Sequence, residues 1–137
     1  MVNIWTVITG AILSMIIGAI WYGPLFGKKW MEILGISALD ADVRKKMQKS
    51  AGPLYAVQFI LTLFQILVLG HLVGEGKFLG GLSGSLWIWA GFIIPTLAGA
   101  VMWTGGSAGL KWARFMIQAG YQLVMFVIYG LLFQFWK

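Results

Sequence analysis

The sequence predicts an all-α polytopic membrane protein. Four transmembrane helices form an up-down bundle, with a short amphipathic cytoplasmic surface helix between spans one and two. Three observations predict it. The 137-residue chain is 60% hydrophobic with a mean hydropathy of +0.87, and only 10% of its residues are charged, against roughly 25% in soluble domains. Residues 1–27, 50–74, 78–110 and 115–136 contain no Asp, Glu, Lys or Arg. Each run can supply the ~20 apolar residues that cross a hydrocarbon core. Unpaired backbone is not tolerated in lipid, and the runs lack the alternation of barrel strands, so the spans are helices. Spans at about 3–22, 53–73, 82–104 and 112–136, with an interfacial elbow and surface helix over 23–51, make 1–137 a single domain.

Span one places Trp5 at one end and Trp21 and Tyr22 at the other, where amphipathic aromatics favour the interface. No basic residue precedes it, so it reads as a retained span rather than a signal peptide. Gly10, Ser14 and Gly18 recur every four residues and form a small-residue face for helix packing. Gly23-Pro24 is expected to stop the helix, since Pro lacks an amide donor and restricts the residue before it. The surface helix is expected over 37–50, with Ser37 and Asp40 resembling a capping box. Leu39, Val43 and Met47 form a narrow apolar stripe flanked by Arg44, Lys45, Lys46 and Lys49. Such a helix can lie in an anionic headgroup layer; the alternative is a solvated linker.

Pro53 suits the first turn of span two. Gln58, Thr62 and Gln65 share a stripe on that span, and Gln118 and Gln122 share one on span four. Amides facing lipid are costly, so both stripes are expected to point inward, either as interhelical glue or as a polar lining. Span three carries Gly91, Pro95 and Gly99 as a second packing face, with a kink expected at Pro95. Short turns between spans two, three and four make these sequential antiparallel neighbours.

Basic residues divide eight to two: Lys28, Lys29, Arg44, Lys45, Lys46, Lys49, Lys111 and Arg114 against Lys77 and Lys137. The excess places connections one and three in the cytoplasm and both termini on the outer side of the membrane. The net charge of +6 then faces membrane lipids, especially anionic headgroups, rather than nucleic acid.

Charge-free spans lack the carboxylate of the usual proton relay. The chain has no cysteine, which excludes thiol catalysis and thiolate metal sites. No nucleophile stands beside a base, so no enzyme and no cofactor are expected. His71, with Glu75 one turn on, falls short of the three or four ligands of a metal site. Two functions remain. One is a non-enzymatic bundle that self-associates as a homo-oligomer or binds a partner membrane protein. The other is a small channel or carrier for a neutral solute or ion, lined by Gln58, Thr62, Gln65, Gln118 and Gln122 at an oligomer interface.

The junction after span one reads Trp21-Tyr22-Gly23-Pro24-Leu25-Phe26-Gly27-Lys28-Lys29-Trp30. This stretch resembles the hallmark of a bacterial membrane family catalogued as domain of unknown function 1761. The similar layout implies one four-span domain, and the resemblance implies no activity. Physically, the stretch predicts an elbow. Gly23-Pro24 turns the chain, Leu25, Phe26 and Trp30 re-enter the headgroup layer, and Lys28 and Lys29 face phosphates.

Overall fold

A computed structural model describes residues 1–74 and 79–136. Span one comprises α1 (Ile4–Ile20) and a π-turn (Trp21–Leu25), followed by two short helices, α2 (Gly27–Ile33) and α3 (Ala41–Ser50). Span two is α4 (Gly52–Val73). Span three is α5 (Gly81–Ile88), a second π-turn (Trp89–Ile93) and α6 (Ile94–Met102). Span four is α7 (Ala108–Phe135). No strand occurs among the described residues. The four spans, Ile4–Leu25, Gly52–Val73, Gly81–Met102 and Ala108–Phe135, are long and apolar enough to cross a membrane.

Gly23-Pro24 does not stop the first helix. Pro24 sits inside the π-turn, whose wider register bonds Phe26 N–H to the Trp21 carbonyl at 3.0 Å. The helix thus absorbs a missing donor by lengthening one turn rather than breaking. The same device serves span three, where Ile94 N–H reaches the Trp89 carbonyl one turn before Pro95. Both prolines therefore distort their spans without ending them.

The elbow is also more regular than expected, because α2 forms directly after the π-turn. It ends in a Schellman motif at Gly35, whose φ of 74° suits a residue without Cβ. Ile36 N–H bonds the Met31 carbonyl at 3.0 Å and Gly35 N–H bonds the Glu32 carbonyl at 3.1 Å. The expected capping box does not form. Helix α3 starts a turn later than Ser37, with Asp40 at its N-cap and no side-chain cap bond. In α7, Ser107 is the N-cap and its side chain accepts from Leu110 N–H. Lys111 and Arg114 consequently lie on the helix, not in a connection.

The core gathers at the end of the bundle that carries the termini. Val7 and Ala11 of α1, Ile66, Leu69 and Val73 of α4, and Met125, Phe126, Tyr129 and Phe133 of α7 form one buried cluster. Span three joins it through glycine. A Cβ on Gly130 would lie 2.7 Å from Leu82 Cα and 2.9 Å from Ser85 Cβ, so α5 and α7 touch almost backbone to backbone. In lipid such contact is held by dispersion and hydrogen bonds, since hydrocarbon supplies no hydrophobic drive. At the opposite, basic end the spans part. Residues 52–58 of α4 are exposed throughout, and Ile60, Leu61 and Phe64 remain at least 56% exposed. Such apolar surface suits lipid.

Candidate functional site

The elbow folds back onto the first turns of α7 and builds an aromatic cluster. The Tyr22 ring lies 4.7 Å from Trp30 and 5.5 Å from Tyr121, and Trp21 lies 4.9 Å from Phe26. Gly27 lets the chain double back, since a Cβ there would stand 3.1 Å from the Tyr22 carbonyl oxygen. Trp21 fixes the elbow to span four by donating its indole N–H to the Ile117 carbonyl at 2.9 Å. Its ring fills the space left by Gly120, whose Cβ position is 3.1 Å from it. The guanidinium of Arg114 lies over the Trp30 ring, 5.8 Å from the centroid, a contact worth about 0.5–2 kcal/mol depending on desolvation. Of the expected elbow residues, Trp21, Tyr22 and Trp30 are thus half-buried in the cluster. Gly23, Pro24, Phe26, Lys28 and Lys29 are exposed. Lys29 pairs with Glu32 at 3.4 Å on the surface, where an ion pair contributes little.

A second polar constellation lies inside the bundle. Ser14, expected only as a small packing residue, is its centre. The Ser14 hydroxyl donates to the Gly10 carbonyl at 2.9 Å and is met by the Tyr129 hydroxyl, while Tyr121 donates to the Ser14 carbonyl at 2.8 Å. With the serine proton committed to Gly10, Tyr129 is the donor of its pair. Gly10 and Gly18 do pack closely: their Cβ positions lie 3.1 Å from Ile66 and 3.2 Å from the Tyr121 hydroxyl. Further bonds converge on α7 carbonyls. Ser85 donates to Phe126 at 2.5 Å and Trp89 to Ala119 at 3.2 Å. Thr6 donates to the Trp136 carbonyl at 2.7 Å.

The polar stripes divide: Thr62 is buried and Gln58 is not. Gln58 is exposed, and its amide donates to Thr62 within the same helix at 3.2 Å, while Thr62 donates to the Gln58 carbonyl at 2.8 Å. The α4 stripe is thus satisfied locally, and Gln58 does not face α7. Gln65, Gln118 and Gln122 are half-buried and bridge no pair of helices among the described residues. The interhelical glue is instead Trp, Tyr, Ser and Thr. The small face of span three also departs from intramolecular packing. Gly91 and Pro95 are exposed, and a Cβ on Gly91 or Gly99 would meet nothing within 4 Å. The reason is that α5 approaches α7 through Gly81 and Ser85, while Gly84 packs on Val73 of α4, a different set of small residues.

His71 is exposed and its Nδ1 donates to the Leu67 carbonyl at 2.9 Å, one turn back on its own helix. Glu75 lies outside the described residues. Among the described residues no three His, Asp or Glu side chains gather as a metal site would require. A shallow groove of 420 Å³, lined by Ser83, Leu86, Trp87, Trp89 and Ala90, carries no ionisable side chain.

Residues 5–134, which take in the elbow and all but the outermost residues of the first and last spans, match a single family. The chain belongs to that family, described as Protein of unknown function (DUF1761). No curated protein and no solved structure matches it. Within this DUF1761 chain, sequence reasoning missed Arg114, Tyr121, Trp89 and Ser85 as structural partners. Arg114 counted only toward topology, although its place immediately before a charge-free run marks the headgroup boundary. Trp89 stands six residues before a mid-span proline and Trp21 three before Pro24, each as the first residue of its π-turn. That shared pattern is the signal that could have found both π-turn anchors.

Proposed function

We propose that this DUF1761 protein is a non-enzymatic inner-membrane bundle that self-associates through the small-residue face of span three. The observation that carries the reading is the open space at Gly91 and Gly99, on either side of the exposed Pro95. Gly10, Gly18, Gly70, Gly84, Gly120 and Gly130 all meet neighbours within the chain. A glycine face in a membrane helix permits close approach of a second helix. A second copy, related by a two-fold axis, would bring the same face to itself. In this reading connections one and three are cytoplasmic, the termini face outward, and a foreign membrane protein is the competing occupant.

Subunit counting by single-molecule photobleaching in dilute liposomes tests it. Wild type is expected as a dimer, and the Gly91→Leu and Gly99→Leu variants as monomers. A monomeric wild type refutes self-association. A C-terminal reporter found in the cytoplasm would separately overturn the orientation.

One observation favours a second reading, a small channel or carrier. Gln118 and Gln122 sit half-buried and unbridged at the end where the spans part. An amide both donates and accepts and can replace part of a hydration shell. Liposome flux that is lost in Gln65→Leu and Gln122→Leu supports it; absence of flux for a panel of neutral solutes and ions counts against it.

A further inference from the structure

Arg114 stands apart from the other cations at the basic end. Lys29 is paired with Glu32, and Lys111 donates to the Met102 carbonyl at 3.4 Å, capping the last turn of α6. Arg114 is half-buried, yet no carboxylate among the described residues reaches it. Its guanidinium carbon lies over the Trp30 ring, 5.8 Å from the centroid. A guanidinium carries five N–H donors in one planar fork, which suits a pair of acceptor oxygens. That geometry fits two oxygens of a phosphodiester.

Depth identifies the source of such a phosphate. Arg114 immediately precedes the charge-free run 115–136, so its head lies at the boundary between hydrocarbon and headgroups. Met116 of α7 and Leu25 of the π-turn are 66% and 60% exposed, apolar surface of the kind that acyl chains cover. Lys28, Lys45, Lys46 and Lys49 are exposed and form no ion pair among the described residues. Helix α3 adds independent support. Val43 and Met47 on its apolar stripe are 43% and 44% exposed, as expected of a helix dipping into the same leaflet. A second arginine, Arg44 of α3, reaches Met31 Sδ at 3.9 Å, next to Trp30 on α2, and its Nε is buried without a partner.

We infer that the elbow and α7 form a binding site for one anionic phospholipid, whose phosphodiester pairs with the Arg114 guanidinium held over Trp30. The site is independent of self-association through span three, which lies on other residues. The hallmark segment then has a purpose beyond turning the chain, since Trp30 lies under the arginine and Tyr22 packs on Trp30. The net positive surroundings select a headgroup of net negative charge over a zwitterionic one.

Native mass spectrometry of the full chain in an uncharged detergent tests this. Phosphatidylglycerol, phosphatidylcholine and soluble glycerol phosphate are added at equal concentrations. Wild type is expected to retain a single phosphatidylglycerol, with phosphatidylcholine about fivefold less occupied. Arg114→Gln should lower phosphatidylglycerol occupancy about fivefold, whereas Lys49→Gln, which removes the same charge from α3, should leave it near wild type. Arg114→Lys should fall between, because an ammonium cannot offer the planar edge. Equal loss in Arg114→Gln and Lys49→Gln would reduce the effect to diffuse charge and overturn the site. Equal retention of the two lipids would overturn the selectivity, and glycerol phosphate binding as well as phosphatidylglycerol would overturn the lipid as ligand. Should Arg114→Gln not give helical, monodisperse protein, Trp30→Leu carries the same test with the arginine intact. Unchanged occupancy there refutes the part given to Trp30 and overturns the site.

Discussion

At the end of the bundle that carries the termini, helices meet nearly backbone to backbone. Gly130 lies against Leu82 and Ser85, and Gly70 against Phe133 and Val2. At the basic end the helices are held apart by rings: Trp21, Tyr22, Phe26, Trp30 and Tyr121 fill the space between the elbow and α7. At Gly130 the first half has no freedom to repack, because the atoms that would clash are main-chain or Cβ atoms. The second can yield through side-chain rotation, and its outer surface on α4 is left to lipid. Rigidity and adaptability are thus separated along the membrane normal, with Ser14 and its two tyrosines at the border.

Breaking the tight half should have the largest effect. Gly130→Ala places a methyl against backbone and is expected to destabilise the bundle by about 3 kcal/mol, the upper end for overpacking. Thermal unfolding in detergent would show it as a loss of cooperative melting near the wild-type midpoint. Gly99→Ala, in open space, should move the same midpoint by less than about 0.5 kcal/mol equivalent. A reversed order would dissolve the distinction between the halves.

The border gives the next effect, and an asymmetric one. Ser14→Ala strands the buried Tyr129 hydroxyl and should cost about 2 kcal/mol, whereas Tyr129→Phe removes the donor cleanly and should cost about 1 kcal/mol. Equal losses would mean that the tyrosine finds another acceptor. At the ring-filled end, Trp21→Phe keeps the aromatic surface and loses only the bond to Ile117, for an expected cost of about 0.6 kcal/mol. Increased proteolysis within the elbow, with the melting midpoint little changed, would locate the loss there. Smallest of all is Gln58→Leu, expected within about 0.5 kcal/mol because the amide bonds only its own helix. A large loss there would restore the inward-facing stripe.

The same division explains which parts of the fold were legible. Spans follow from composition, because lipid imposes one rule on every backbone group. The small-residue face of span one was readable for the same reason. Span three carries two such faces, and spacing cannot rank Gly91, Pro95 and Gly99 above Gly81, Gly84 and Ser85. The choice depends on the axial position at which α7 presents Gly130 and Phe126. Gln58 misled because polarity was equated with inward orientation; it is exposed and bonds the buried Thr62 one turn on. Pro24 misled because a missing donor was taken to mean a helix end, when a π-turn accommodates it within a continuing helix. Ser37 failed as a cap since α3 begins only at Ala41 and so takes Asp40 as its N-cap.

The convergence of side-chain donors on α7 carbonyls has an evolutionary consequence. At Ile117, Ala119, Phe126 and Trp136 the acceptor is the main chain, which every residue type provides. These positions can drift among apolar side chains without losing the bond, provided size is respected. Selection therefore acts on one side of each pair only: on Trp21, Trp89, Ser85 and Thr6. Pairwise covariation between spans should be weak at the contacts that hold them together, and strongest where glycine meets bulk, as at Gly70 with Phe133 and Gly120 with Trp21.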